Sequence, residues 1–321
     1  MMGELKNTFS WSHSAALDFD ECRRRRYWNK YGKWGGWARK ASPVQRKAYQ
    51  LDKMGNLYTI LGEAVEQAAM HILRQHQLGR NCSAEDAYQK VARPFMNRAW
   101  KDSRDGRWKS DPKRYTCLRE HYYNTLTEDE ERKLTAQLVA RAKLCLANFR
   151  ERTLPRIEDV GKEMELPVQV PGTGGDAEHF FCQDVKVYAI PDYAYRKDGA
   201  IHIHDWKAGR RKPEHRDQVA LYGLWADAKH RQAGEDIYVY LEYFKEGAIV
   251  ADALENEDLE RARSRIETSV AEMTEMLVDA DRKRNQPLPI EDWDLALDIS
   301  SCRHCNFLEL CREELRQIGM L

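Results

Sequence analysis

The chain has 321 residues, of which 42% are hydrophobic and 32% charged, and its 52 lysines and arginines balance its 52 aspartates and glutamates. Such a composition is typical of a folded globular protein, and it excludes a chain built around long apolar membrane spans. Because the segment Met1 to Lys6 lacks the apolar core of a signal peptide, we expect a cytoplasmic protein with no membrane partner.

Charge is distributed unevenly along the chain. Residues 1–50 contain 11 lysines and arginines but 4 aspartates and glutamates, a net charge of +7, whereas residues 251–300 contain 6 and 14, a net charge of −8. The basic region includes a run of four arginines, Arg23, Arg24, Arg25 and Arg26. This pattern is compatible with a phosphate-binding surface and equally with solvated helix faces.

Helical spacing of apolar residues predicts four helices in the first half of the chain, over about residues 12–31, 55–78, 83–101 and 127–152. Ser10 or Ser12 can cap the first helix, and Thr127 with Glu130 forms a capping box for the fourth. Residues 79–155 are therefore interpreted as a mainly helical insertion.

Alternating apolar residues predict strands after Pro155, over about residues 163–170, 184–190 and 201–206. Three glycines, Gly172, Gly174 and Gly175, indicate a loop, and Asp198-Gly199 indicates a tight turn. A helix, a strand and a last helix are predicted over about residues 214–230, 237–244 and 255–284. This order predicts an α/β or α+β fold with a central mixed sheet flanked by helices.

Two carboxylates and a lysine are predicted to meet at one edge of that sheet. Alternation along a strand places Asp205 and Lys207 on one face, beside a hairpin partner that ends at Asp192. Two neighbouring carboxylates repel each other, and a hard divalent cation relieves this repulsion and can activate water at a phosphodiester. A surface ion pair is the simpler alternative for the same residues.

Further residues recur at helical spacing around this motif. Gln218 and Tyr222 are four apart on the helix after the strand, and Gly62 and Glu66 are four apart on the second helix. Glu66 is either a third metal-binding carboxylate or a solvated charge.

The order Gly62-x-x-x-Glu66, Asp192, Asp205-Trp206-Lys207 and Gln218-x-x-x-Tyr222 resembles the RecB-like branch of the PD-(D/E)XK nucleases. The resemblance implies a single nuclease domain over residues 1–321 with Asp192 and Asp205 as ligands of Mg²⁺ or Mn²⁺ and Lys207 as the catalytic lysine. It also implies that Gln218 and Tyr222 lie beside the active site. Many members have histidine where this chain has Glu66, and carboxylate suits Mg²⁺ better than imidazole does.

Three of the eight cysteines, Cys302, Cys305 and Cys311, are close together near the C-terminus, and Cys22 adjoins the arginine run. In a reducing compartment such a set suggests Zn²⁺ or an iron–sulfur cluster. One distant cysteine followed by C-x2-C-x5-C resembles the cluster-binding RecB-like nucleases, including the AddB nuclease domain and CRISPR-associated exonucleases. The resemblance implies a structural [4Fe–4S] cluster that joins residues 1–40 to residues 290–321.

The sequence therefore predicts a metal-dependent DNA nuclease, an exonuclease or an end-processing enzyme, that acts on single strands or duplex ends. Two alternatives are a catalytically silent DNA-binding subunit of a repair, recombination or CRISPR adaptation complex, and a zinc-containing interaction protein. Contact of Arg23, Arg24, Arg25 and Arg26 with DNA is expected. The aromatic residues that follow them are compatible with stacking on bases and equally with a place in the core, and they are Tyr27, Trp28, Tyr31, Trp34 and Trp37. Because the sequence contains no ATPase P-loop, a helicase or a CRISPR integrase-type partner would be a separate chain.

Overall fold

A computed structural model describes residues 6–170 and 176–321, and the predicted glycine loop at Gly172, Gly174 and Gly175 lies outside them. The α-helices in these residues are α1 (His13–Glu21), α2 (Arg23–Tyr27), α3 (Pro43–Asp52), α4 (Leu57–Gln77), α5 (Ala84–Ala87), α6 (Arg93–Asp105), α7 (Arg119–Tyr122), α8 (Glu128–Asn148), α9 (Leu154–Ile157), α10 (Glu214–Lys229), α11 (Asn256–Glu275), α12 (Ile299–Arg303) and α13 (Leu308–Gln317). The strands are β1 (Trp11–Ser12), β2 (Met54–Gly55), β3 (Cys117–Leu118), β4 (His179–Cys182), β5 (Val185–Tyr188), β6 (Tyr193–Lys197), β7 (Ala200–Lys207), β8 (Asp236–Tyr243) and β9 (Ala248–Ala253). In the described parts of the chain, no helix combines the length and apolar character needed to cross a bilayer.

The strands form mixed sheets, as predicted. The largest sheet has the order β6-β7-β8-β9, in which β7 and β8 run parallel while the two outer pairs are antiparallel. A smaller sheet has the order β1-β5-β4, and β2 pairs with β3. The parallel β7–β8 pair requires a crossover, and α10 supplies it.

Each face of the large sheet packs against its own set of helices. Ile201 and Ile203, both fully buried, lie on the face that packs against α1, α10 and α11. Tyr195 and Trp206 lie on the opposite face, in one core cluster with residues of α4 and α8. Side chains of β7 therefore alternate between two cores, as the period of a strand requires.

The helix predictions are confirmed for α4 and for α8, whose Thr127–Glu130 capping box is present. The first predicted helix, 12–31, is wrong as one helix, because Cys22 has an extended backbone (φ −161°, ψ 107°) and separates α1 from α2. The last predicted helix, 255–284, ends earlier, at Glu275, because the chain then turns back through residues with positive φ such as Asp279. Its backbone next pairs with the returning segment, where Leu277 bridges Pro287.

Two strand predictions need correction. Residues 163–170 form no strand: Lys162–Met164 is a 3₁₀ turn, and the extended stretch after it makes an isolated bridge from Glu165 to Tyr195. The segment 184–190 is not the hairpin partner of β7, since β5 belongs to the small sheet. That partner is β6, joined to β7 through the predicted turn, where Asp198 and Gly199 both have positive φ.

Candidate active site

The end of β7 carries the first two residues of the candidate site. Asp205 is 1% exposed, and its Oδ2 lies 2.7 Å from Nζ of Lys207. Both side chains therefore leave the strand on the same face, which the alternation along β7 predicted. The side chain of Lys207 is partly exposed, so this ion pair lies at the boundary between the buried core and solvent.

Asp192 reaches the same point from the neighbouring strand. It lies immediately before β6, and its Oδ2 accepts a hydrogen bond of 2.6 Å from the backbone N–H of Trp206. This N–H belongs to the residue between Asp205 and Lys207, so the bond fixes Asp192 relative to both. The structure thus brings Asp192, Asp205 and Lys207 together. Asp192 lies directly before the hairpin strand β6, and not at the end of the hairpin strand as the sequence predicted.

The two helices that flank the sheet contribute Glu66, Gln218 and Tyr222. On α10, Gln218 accepts a hydrogen bond of 2.8 Å from Lys207 Nζ and donates one of 2.7 Å to the hydroxyl of Tyr222. On α4, Glu66 lies on the solvent side of the apolar stripe, close enough for its charge to raise the pKa of Asp192. All six residues of the predicted constellation thus surround the end of β7.

The site concentrates negative charge in a poorly solvated place. Burial raises the pKa of Asp192 well above its usual value, and the charges of Asp205 and Glu66 add to that effect. Burial likewise raises the pKa of Asp205 against the opposing effect of Lys207. Partial burial, followed by the charges of Glu63 and Asp205, raises the pKa of Glu66. Burial also raises the pKa of Tyr222, which stays a neutral phenol.

The chemistry of these donors fits a hard divalent cation. Glu66, Asp192 and Asp205 offer only oxygen ligands, and a bound cation would offset both their burial and the repulsion of Asp192 by Asp205 and Glu66. Across residues 6–170 and 176–321, however, no three His, Cys, Asp or Glu side chains already stand as the ligands of one metal ion. Binding of one ion by all three carboxylates therefore requires their side chains to move from these positions.

A cavity of about 450 Å³ opens beside this site, lined by Lys207, Gln218 and Tyr222. It is also lined by His13 and His215, two residues that sequence reasoning missed. Burial, followed by the charge of Lys207, lowers the pKa of His215 to about 4, so this ring is neutral at pH 7. The spacing of three between His215 and Gln218 on α10 was the available signal for His215, since such residues share a helix face.

His202 and His204 lie on the other face of β7 from Asp205 and Lys207. The ring of His204 stacks on Tyr240, with 4.5 Å between centroids, and pairs with the buried Glu242, which also accepts a hydrogen bond from Thr153. This polar network lies behind Asp205 and ties β7 to β8 and to the helical segment Phe149–Thr153 that follows α8. It therefore supports the strand without facing the candidate site.

The four predicted cluster cysteines, all free thiols, line one small cavity between α2 and the C-terminal helices. Cys22 caps α2, where its Sγ accepts the backbone N–H of Arg25 at 3.3 Å, and Cys305 Sγ accepts that of Phe307 at 3.4 Å. Burial raises the pKa of Cys305 to about 12 and that of Cys311 to about 11, and neighbouring cysteines add to both shifts. Four sulfur donors around an apolar cavity fit Zn²⁺ or an iron–sulfur cluster by their chemistry.

The arginine run binds mainly within the protein. Arg24 and Arg26 are buried; Arg24 donates to the carbonyl of Trp293 at 2.8 Å and forms a two-pronged ion pair with Glu314. Arg25 pairs with acidic residues of α1, and Arg23 lies 3.7 Å from Asp294. These contacts fasten α2 to the C-terminal segment, and contact of the run with DNA stays a prediction.

The repulsion in the site gives a prediction for the metal-free protein. Asp192→Asn removes one buried negative charge but keeps an oxygen that can accept the Trp206 N–H, so we expect it to stabilise the fold in EDTA. Since the folded-state pKa is raised, the gain should be absent near pH 4 and grow as the pH rises, to about 1 kcal/mol or more at pH 8. Thermal unfolding across this pH range tests the expectation, and an equal or lower Tm for the variant at pH 8 would contradict it.

Comparison with known proteins supports a family assignment. The curated proteins gave no match to this chain. The profile of the PD-(D/E)XK nuclease superfamily, whose members are generally nucleases that use Mg²⁺ or Mn²⁺, matches residues 10–312. The match covers every strand and every residue of the candidate site, and the mixed α/β fold agrees with it. The chain therefore belongs to the PD-(D/E)XK nuclease superfamily.

Proposed function

We propose that the protein is a DNA nuclease of the RecB-like branch, with divalent-metal-dependent exonuclease or end-processing activity. The observation that carries the proposal is the meeting of Asp192, Asp205 and Lys207 at the end of β7, with Gln218 bonded to the lysine. Superfamily membership makes a nuclease the expected activity. We also propose that residues 79–155, which are mainly helical, are an insertion within a single nuclease domain.

In this proposal Glu66, Asp192 and Asp205 hold Mg²⁺ or Mn²⁺. When bound, the ion supplies a lowered pKa for water and positive charge beside the scissile phosphate. Lys207 stands next to these carboxylates and adds a fixed positive charge where negative charge develops in the transition state. Gln218 positions Lys207 by accepting from its ammonium group, and the hydroxyl of Tyr222 in turn accepts from Gln218.

Gly62 supports a path for DNA across α4. It lies one turn before Glu66, and apart from its chain neighbours and the backbone of its own helix, a Cβ added at Gly62 would meet no described protein atom within 4 Å. Glycine inside a helix costs about 0.5–1 kcal/mol relative to alanine, and no packing within the protein requires it here. We propose that this open helix surface is kept free for the DNA backbone as it approaches Glu66.

We further propose that Cys22, Cys302, Cys305 and Cys311 bind a structural [4Fe–4S] cluster, as the resemblance to cluster-binding RecB-like nucleases implies. The four thiols line one cavity, and two of them, Cys22 and Cys305, already accept backbone N–H groups. Cys302 and Cys311 are buried, so water solvates their thiolate forms poorly. A cluster there would join segments about 280 residues apart and restrict the unfolded chain. A helicase or CRISPR integrase-type partner stays a prediction from the resemblance.

Cleavage should depend on the residues at the end of β7. We expect Asp205→Ala and Lys207→Ala to abolish Mg²⁺-dependent cleavage of end-labelled DNA, each by at least about 100-fold, because one removes a ligand charge and the other stabilisation of the transition state. Lys197→Ala, which removes a surface lysine on the adjacent strand, is the matched control. Undiminished cleavage by both active-site variants would contradict the proposal, and a wild type that binds DNA without cutting it would favour the silent subunit.

Replacement of Gly62 by alanine should change the stability of the protein and its rate of cleavage in opposite directions. Gly62→Ala should raise the free energy of unfolding by about 0.5–1 kcal/mol while lowering the rate of cleavage, since the new methyl group enters only the space left for DNA. Gln67→Ala, an exposed change on the same helix, should leave cleavage unchanged. Denaturant unfolding and cleavage assays on the same preparations check both expectations. A Gly62→Ala protein that is more stable and fully active would rule out DNA contact at this position.

The cluster is tested by metal content. After anaerobic purification the wild type should contain about four irons per chain, and replacement of Cys22, Cys302, Cys305 or Cys311 by alanine should lower both iron content and Tm. Cys117→Ala is the matched control, because Cys117 is buried in the same apolar cluster but does not line the cavity. Stoichiometric zinc in place of iron would overturn the cluster while leaving the nuclease proposal intact.

A further inference from the structure

An exposed aromatic cluster follows the arginine run. Trp34 and Trp37 meet edge to face with 5.0 Å between ring centroids, and Trp37 meets Tyr49 of α3 at 5.7 Å. Trp37 is 45% exposed, whereas Tyr27 and Tyr31, which lie earlier in the chain, pack against the buried Trp293. We name Trp34, Trp37 and Tyr49 the tryptophan patch. Trp34 and Tyr49 are partly buried, so Trp37 is the ring of this group that is exposed to water.

The loop that presents the patch is held in one conformation. Gly36 packs so closely on α3 that an added Cβ would lie 2.3 Å from the carbonyl oxygen of Gln45 and 2.5 Å from Cβ of Tyr49. Ser42 and Gln45 form a capping box that begins α3, and Gln45 also donates to the carbonyl of Trp34. The rings are therefore positioned in advance, which lowers the entropy cost of binding.

The surroundings of the patch carry positive charge that the protein does not neutralise. Residues 22–51 contain ten lysines and arginines and no aspartate or glutamate. Most of these cations are engaged internally, as Lys33 is with Asp52. Arg39 and Lys40, by contrast, are exposed and form no ion pair with any residue in 6–170 or 176–321. They lie two and three residues after Trp37, so unpaired cations and exposed rings occupy the same loop.

We propose that the tryptophan patch binds single-stranded DNA, with unpaired bases stacked on Trp37 and Trp34 and phosphates on Arg39 and Lys40. Stacking needs a free base face, which duplex DNA does not offer, and the lack of acidic residues favours a polyanion over a protein partner. The inference rests on the proposed nuclease function for its choice of DNA. α3 leads through β2 into α4, whose first residue lies about 14 Å along the helix axis from Glu66. The patch is thus joined to the helix that carries Glu66 by a short stretch of chain.

Binding measured in EDTA tests the patch without cleavage. The probes are fluorescent oligo-dT of about 16 nucleotides, an abasic strand of equal length, and a duplex. Trp37→Ala should weaken oligo-dT binding about 5- to 100-fold and leave abasic-strand and duplex binding unchanged, because only stacking is lost. Phe181→Ala, which removes a still more exposed ring from β4, is the control and should change nothing. Trp34→Ala gives a second, independent variant.

The contribution of Arg39 and Lys40 can be measured separately from stacking, through the salt dependence of binding. Arg39→Gln/Lys40→Gln should weaken oligo-dT and abasic-strand binding alike and reduce the slope of log K against log salt by about 1.4. Arg98→Gln/Lys101→Gln removes two exposed cations of α6 as the matched control and should leave the slope unchanged. Wild-type oligo-dT affinity in Trp37→Ala and Trp34→Ala, or an equal loss on the duplex, would overturn the proposal. Patch-dependent binding by a wild type that does not cleave with Mg²⁺ would uphold it and overturn the nuclease function alone.

Discussion

Repulsion among three carboxylates at the end of β7 is the constraint on which the rest of the site depends. Asp192 and Asp205 are held in a poorly solvated place with Glu66 nearby, and Lys207 is the nearest compensating charge. Burying like charges costs free energy unless a cation or protons neutralise them. Protonation of these residues, or a cation bound to them, lowers this free-energy cost. A cation site and a destabilised metal-free state are therefore two aspects of one arrangement.

Three separate parts of the fold impose that repulsion. The β6–β7 hairpin holds Asp192 through its hydrogen bond with the backbone of Trp206. The crossover helix α10 places Gln218 in a hydrogen bond with Lys207. Glu66 lies on α4, which packs against the other face of the large sheet. Behind the strand, His204 stacks on Tyr240 and is hydrogen-bonded to Glu242, and both contacts join β7 to β8. Elsewhere, α2 is joined to the C-terminal segment through Arg24 and the cysteine cavity.

The residues of the site were predictable because their signals are local. Alternation along β7 predicts the shared face of Asp205 and Lys207, and helical spacing predicts Gln218 with Tyr222. The pairing of the strands was harder to predict from the sequence. Residues 189–192 connect β5 of the small sheet to β6 of the large sheet, but in the sequence they look like the continuation of one strand. The break at Cys22 depends on tertiary contacts, because a thiol cap and the Arg24 contacts with the C-terminal segment compete with helix propensity that favours continuation. His13 and His215 were missed because a cavity, and no motif, brings them together.

Direct titration of metal tests the central claim that Glu66, Asp192 and Asp205 share a divalent ion. The measurement is Mn²⁺ binding followed by electron paramagnetic resonance, on wild type, Glu66→Ala and Asp205→Asn, with Mg²⁺ as competitor. We predict Mn²⁺ binding by the wild type that Mg²⁺ displaces, weaker binding by Glu66→Ala, and loss of that binding in Asp205→Asn. Equal Mn²⁺ affinity in all three proteins, or no saturable binding by the wild type, would contradict the account.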